Sequence, residues 1–170
     1  SRLRVNGNLT VDASKTLASD DEEYLDVDDS GRTITMNNAA TGISSLYLIR
    51  FSHTSGTTNV PACTTPRISC TGSGGTTTAT GDLTITTELQ IDSGATFNAN
   101  GNTIAAKLVD LNSGTLNLSN STLNFSVTSS GDSFHLYDGG TLITGNTTVN
   151  GNSSASPTTT WVPSAQGFEI

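Results

Sequence analysis

Strong helix formers are nearly missing from this chain: its 170 residues include two Lys, two Gln and one Met. That scarcity disfavours a helical bundle or a coiled coil. Long hydrophobic runs are missing as well, and no stretch approaches the ~20 apolar residues that span a bilayer as a helix. Basic charge is scarce, with seven Lys and Arg against 15 Asp and Glu and a net charge of −8. A nucleic acid partner is disfavoured, because phosphate binding needs a basic face. Hydrophobic residues make up 33%. Even with glycine added, the apolar share stays under the roughly 45–50% of an ordinary globule. Any core must then be narrow, as in a thin sandwich or a solenoid. The first residue is Ser1, and no charged segment followed by an apolar stretch opens the chain. The expectation is that an upstream segment was removed or that the sequence is a fragment.

Only two cysteines occur, Cys63 and Cys70, in CTTPRISC. Pro66 lies between them and Pro61 just before. An even count in a Ser/Thr-rich, Lys-poor chain predicts a small Cys63–Cys70 disulfide loop in an exported protein. Two reduced, partly buried thiols are the plain alternative. Four clustered N/S ligands for a zinc-type site are lacking.

What the chain does have is 30 Thr, 22 Ser, 17 Gly and 15 Asn, about half of all residues. Thr fits a pleated surface, whereas Gly, Asn and Ser belong in turns. Many short strands joined by tight turns are expected. Such polarity alone would also suit disorder, but the apolar residues are too regularly spaced for that.

The regularity is clearest from Leu83 to Val127, where each short unit has one or two alternating apolar residues and then a polar turn. The main inward positions are Ile85, Ile91, Phe97, Ile104, Leu111, Leu118 and Phe125, at steps of 6 or 7. Within units, pairs such as Leu89/Ile91 and Leu116/Leu118 put both side chains on one strand face. Asp92-Ser93-Gly94, Asn100-Gly101-Asn102, Asn112-Ser113-Gly114 and Ser119-Asn120-Ser121 supply corners, where Gly and Asn tolerate positive φ. A hairpin sandwich shows turn signals every 8–12 residues, so the shorter step suits a coil with three short sides per rung. Three steps span 19–21 residues, pairing Ile85 with Ile104, Ile91 with Leu111, Phe97 with Leu118 and Ile104 with Phe125. Parallel stacking of these rungs buries a thin apolar column.

The fold expected is therefore all-β: a short three-sided parallel β-solenoid with an inserted disulfide loop, the alternative being a jelly-roll or Greek-key β-sandwich. The chain reads as one domain in four stretches. Residues 1–51 form a first solenoid part, where Val5, Val11 and Leu17 keep the step of 6. Residues 52–80 break the rhythm and read as a loop insertion. Residues 81–149 are the main solenoid, and 150–170 a cap or inter-subunit tail.

GDLTITTELQIDSGATFNANGNTI, with VNGNLTVDASKTL near the start, resembles β-solenoid segments of bacterial secreted surface proteins and adhesins. It also resembles those of phage tail fibres and tailspikes. The resemblance covers about half of the chain and speaks to architecture, since solenoids host adhesive, structural and enzymatic roles alike.

Several groups are candidates for chemistry. Asp20, Asp21, Glu22, Glu23, Asp26, Asp28 and Asp29 form the densest acidic stretch. Its DVDDSG places Asp26, Asp28, Ser30 and Gly31 as in a calcium loop, a weak calcium candidate. Asn37, where a bidentate Glu is needed, breaks the match, and a solvated turn is the plain alternative. Glycoside hydrolysis needs two carboxylates ~5–9.5 Å apart. Asp92 with Asp110, or Glu88 with Asp110, is spaced for stacking across rungs, although no Arg or Lys is expected near these acids to build a basic lyase site and Asp92 opens a corner. His53 and His135 lie far apart and suggest no Ser–His–Asp arrangement. Tyr137, Trp161 and Phe168 suit a sugar face or, more simply, core and cap packing. Asn8, Asn117, Asn120, Asn124, Asn146 and Asn152 each start an Asn-x-Ser/Thr sequon, relevant only in a glycosylating host. An ice-binding Thr array is not expected, because Thr33/Thr35 and Thr84/Thr86 do not recur at the rung spacing.

The functional expectation is a non-enzymatic extracellular structural subunit of a cell-surface filament or adhesin, without a cofactor. Its partners would be copies of itself, as a homo-oligomer or filament, and host-surface glycans. Assembly would use strand ends, with residues 1–17 or 157–170 donated to a neighbour. The first rival is a virion fibre, spike or decoration protein, expected to be trimeric. The second is a polysaccharide-binding or -degrading β-helix protein.

Overall fold

The computed structural model describes residues 2–18, 24–36, 46–125, 131–137, 139–151 and 157–161. Among these residues every regular element is a strand. In chain order they are β1 (Arg2–Val5), β2 (Leu9–Val11), β3 (Tyr24–Val27), β4 (Ile34–Met36), β5 (Leu48–Phe51) and β6 (Thr57–Val60). Then come β7 (Cys63–Cys70), β8 (Thr76–Ala79), β9 (Leu83–Asp92), β10 (Thr96–Asn98), β11 (Thr103–Asn112) and β12 (Thr115–Asn117). The last are β13 (Thr122–Phe125), β14 (Gly131–Leu136), β15 (Thr141–Ile143), β16 (Thr148–Asn150) and β17 (Pro157–Trp161).

Every pairing between these strands is parallel. The ten-stranded sheet runs β1-β3-β5-β7-β9-β11-β13-β16, with β14 on β11 and β17 on β14. A five-stranded sheet runs β15-β12-β10-β8-β6, and β2 pairs with β4. The chain is thus a parallel β-solenoid of about five turns. A jelly roll or Greek key would need antiparallel neighbours.

Alternation decides which side chains enter the column. In β9, Leu83, Ile85, Leu89 and Ile91 are buried, as are Ile104, Ala106, Val109 and Leu111 in β11. Burying each large apolar side chain contributes about 1.5–3 kcal/mol. The alternation skips once in each long strand, with register shifts between Thr65 and Arg67 in β7 and between Ala106 and Leu108 in β11. Pro66 occupies the shift in β7. A bulge tolerates proline because its missing N–H removes no ladder bond there. The corners use left-handed backbone at Ser93 (φ 57), Asn100 (φ 53), Ser113 (φ 57) and Asn120 (φ 57). Two corners one rung apart use the same device. The side-chain Oδ1 of Asn98 accepts the Asn100 N–H at 3.0 Å, and that of Asn117 accepts the Ser119 N–H at 3.0 Å.

Several expectations need correcting. Residues 52–80 are not an insertion, since β6, β7 and β8 lie in register with the rungs that follow. The rhythm was hidden because Thr58, Thr65 and Thr77 take buried positions that usually carry aliphatic residues. Cys63 and Cys70 form no disulfide; both are free and buried. They sit at opposite ends of β7, about 20 Å apart at ~3.3 Å per residue, far beyond disulfide reach. The stacking register also differs. Ile91 lies on Leu111 as expected, but Ile85 lies on Ala106, Phe97 on Leu116 and Ile104 on Leu123. A shift of two keeps the same face inward, so periodicity alone cannot distinguish the registers. Phe125 is only partly buried, packing edge-on against Phe134 with ring centroids 6.4 Å apart. Both proposed donor segments already pair within the chain where they are described, and 162–170 lie outside the described residues. Arg2–Val5 pairs with β3, Leu9–Val11 with β4, and Pro157–Trp161 with β14.

Candidate functional site

The outward positions of the ten-stranded sheet form one polar column across the rungs. Successive register partners are Arg4, Asp26, Arg50, Ser69, Gln90, Asp110 and His135. Arg67 and Glu88 form the neighbouring register pair on one side, and Asp92 lies on the other side of Gln90. Residues as far apart in sequence as Arg4 and His135 thereby share one face, because each rung returns the chain to the same lateral position.

At the first rungs the charges are matched. Asp26 is fully buried and accepts hydrogen bonds from Arg50 Nε at 2.9 Å, Arg50 Nη2 at 3.1 Å and Ser52 Oγ at 2.9 Å. Arg2 approaches to 3.4 Å and Arg4 to 3.7 Å, while Arg4 pairs with Asp28 at 2.9 Å. The Arg50 guanidinium lies over the Tyr24 ring, 4.8 Å from its centroid. Burial alone would raise the Asp26 pKa, but the Arg50 and Ser52 hydrogen bonds and the arginine charges outweigh it and hold the carboxyl below the usual range. Asp26 is therefore a strand residue in an ion-pair hub, both of its oxygens engaged by Arg50. Asp29 is taken by Arg32. Asp20, Asp21, Glu22, Glu23 and Asn37 lie outside the described residues.

At the middle rungs acids outnumber bases. Arg67 Nη2 pairs with Glu88 Oε2 at 2.7 Å and donates to Gln90 Oε1 at 2.6 Å. Ser69 Oγ donates to the same Gln90 oxygen at 3.3 Å, and Gln90 Nε2 donates to Asp92 Oδ2 at 2.7 Å. Asp110 is in register with Gln90 and with His135, and the Tyr137 hydroxyl meets His135 Nδ1 at 3.2 Å. Burial pushes the carboxyls of Glu88, Asp92 and Asp110 up, and the charge of Asp110 adds to the rise at Glu88 and Asp92. Asp92 and Asp110 each keep a shielded Oδ1 with no hydrogen-bond partner. Asp92, Asp110 and Glu88 thus come together, and the expected lack of a nearby base is overturned by Arg67. What sequence could have shown is the 21-residue offset of Arg67 from Glu88, hidden by reading 52–80 as a loop. Among the described residues no group of three or more His, Cys, Asp and Glu is placed to hold a metal ion.

The remaining candidates are dispersed. His53 is buried in a corner, where its Nε2 meets the Thr76 carbonyl at 3.1 Å, well away in the chain from His135. Trp161 ends β17, and Phe168 and Asn152 lie outside the described residues. The sequon asparagines that can be described do structural work. Asn8 accepts the Thr33 N–H at 3.0 Å, Asn146 donates to Asn120 at 3.3 Å, and Asn150 donates to Asn124 at 2.8 Å. One row was missed altogether: Thr57, Thr76, Thr96, Thr115 and Thr141 are register partners along the five-stranded sheet. Their spacing is legible only once the rungs of 52–80 are recognised.

The stacked parallel strands and their outward polar column define a β-solenoid protein. Comparison with protein-family models, with curated proteins and with solved structures finds no match.

Proposed function

We propose that this chain is a non-enzymatic structural shaft of a cell-surface filament or adhesin, working outside the cell as a three-sided coil. The long strands β7, β9 and β11 would each contribute two sides, divided at their bends, and the five-stranded sheet the third. No metal or cofactor belongs to this reading. Its partners are copies of itself, and glycans on a host surface. The observation that carries it is the open character of both ends of the stack. Strands β1 and β2 at one end, and β15, β16 and β17 at the other, each pair on one side only among the described residues. Leu3 (50% exposed), Ile143 (42%) and Val149 (45%) lie at those ends. Unpaired strand edges beside exposed core residues favour a further rung, from the same polypeptide or from another copy. Donation of residues 1–17 is replaced by stacking of whole rungs, because those residues already pair within the chain.

The test is electron microscopy and sedimentation of the chain and of the double variant Leu3→Arg, Val149→Arg. Head-to-tail particles that the variant loses, with its circular dichroism unchanged, support stacking between copies. A monomer at all concentrations overturns it. A virion fibre remains the second reading. The cysteines do not separate the two readings, because they lie unbridged at opposite ends of β7. The polysaccharide-degrading reading is favoured by Asp92 and Asp110. They occupy diagonal positions on one face of adjacent rungs, the kind of stacking that brings two carboxylates to one sugar site. Release of reducing sugar from neutral polysaccharides would support it.

A further inference from the structure

Asn-Gly pairs are chemically fragile, because glycine has no Cβ to shield its backbone nitrogen from the preceding side-chain amide. The chain holds three of them: Asn6-Gly7, Asn100-Gly101 and Asn150-Gly151. All three asparagines are exposed, so solvent access does not separate them. Hydrogen bonding does. The Asn100 N–H donates to Asn98 Oδ1 at 3.0 Å, Asn100 Nδ2 donates to the Ala79 carbonyl at 3.3 Å, and the Gly101 N–H donates to Ser121 Oγ at 3.0 Å. Those bonds pin Asn100 in the left-handed region (φ 53) and engage both the attacking nitrogen and the leaving amide. Asn150 is held once, its Nδ2 donating to Asn124 Oδ1 at 2.8 Å. Asn6 and Gly7 form the bend after β1. Among the described residues neither the Asn6 amide nor the Gly7 N–H has a hydrogen-bond partner. Nothing lies within 4 Å of a methyl group placed on Gly7, so a ring has room to form.

We propose that Asn6-Gly7 is a self-modification site: the fold leaves this pair free to close into a succinimide while holding Asn100-Gly101 back. The Gly7 nitrogen gives up its proton to solvent base and attacks Asn6 Cγ. The new N–C bond forms, and the amide nitrogen leaves as ammonia, taking up a proton. Water then adds to either ring carbonyl and opens the ring to aspartate or isoaspartate. Across both steps one water is consumed and one ammonia released, and nothing is oxidised or reduced. The product exchanges a neutral amide for a carboxylate on the end rung. Continuing the β1–β3 register one residue past Val5 and Val27 sets that position against Asp28, which is paired with Arg4. The isoaspartyl product also carries one more backbone carbon. The end of β1 therefore gains negative charge and altered geometry with age, whether or not copies stack there.

Incubation of the full chain at mildly alkaline pH, folded and in urea, followed by tryptic peptide mapping, tests this. The three pairs fall in separate peptides, residues 5–15, 68–107 and 108–170. The readouts are the mass change from amide to acid and labelling by a protein-isoaspartate methyltransferase. In the folded protein Asn6 should convert first and Asn150 next. Asn100 should convert at least about tenfold more slowly than Asn6, since ring closure there must break its hydrogen bonds. In urea the three rates should converge. Gly7→Ala, which has space for its methyl group, should fold as wild type and slow conversion at Asn6 alone. Asn100 keeping pace with Asn6 in the folded chain, the same ranking in urea, or an unslowed Gly7→Ala variant overturns the proposal.

Discussion

Arg50 holds Asp26 with two hydrogen bonds, from Nε at 2.9 Å and from Nη2 at 3.1 Å, across the β3–β5 pair in which the two residues are register partners. The Asp26 side chain is fully buried while Arg50 keeps 29% of its side chain exposed. The hub therefore ties three rungs together through one carboxylate, since Arg2 and Arg4 of β1 approach the same group.

Asp26→Ala leaves those guanidiniums without their shared partner and should destabilise the chain by about 2–4 kcal/mol. That is somewhat below the penalty for breaking a fully buried pair, because the arginines keep water. The pH dependence follows from the lowered Asp26 pKa. Its contribution is present above the unfolded value and is lost as pH falls through the folded one. Urea unfolding at neutral pH, with an acid titration alongside, checks both points. An Asp26→Asn variant should lose the part of the acid sensitivity that belongs to this hub.

The cysteines should be unreactive and unbridged. Burial pushes the Cys63 and Cys70 thiols up to about 12, so the thiolate that reacts is scarce at neutral pH. A thiol-specific chromogenic reagent should titrate neither in the native protein and both after denaturation. Reducing agent should leave the melting temperature unchanged. An intact mass showing the loss of two hydrogens in native protein would contradict the β7 geometry.

Gly72→Ala should be more damaging than its size suggests. A methyl group at Gly72 would overlap the His53 backbone carbonyl oxygen, and the nearest atoms are backbone rather than a side-chain end. Relief requires the β5–β6 corner to move, at a cost of about 1–3 kcal/mol or more. Gly7→Ala, where nothing lies within 4 Å, is the matched control and should leave the melting curve almost unmoved.

Much of the architecture was legible in residue spacing. Ile85, Ile91, Phe97, Ile104, Leu111 and Leu118 are all buried, and the corners at Ser93, Asn100, Ser113 and Asn120 carry the positive φ their Ser, Asn and Gly residues suggested. Spacing failed where Thr58, Thr65 and Thr77 replaced aliphatic residues in the column, and where Pro66 imitated a loop while sitting at a bulge. The ion-pair hub was equally hidden. Asp26 lies in an acid-rich stretch with no base beside it in sequence, and its principal partner Arg50 stands 24 residues away.

Short strands, tight corners and a narrow apolar column follow from residue order alone, because alternation and turn chemistry are local properties of consecutive residues. The register of the rungs, the separation of Cys63 from Cys70 and the gathering of Arg67, Glu88, Asp92 and Asp110 on one face emerge with the winding of the coil. Those depend on which outward residues the coil returns to the same lateral position. A slip of two residues leaves every local preference satisfied while changing every partner.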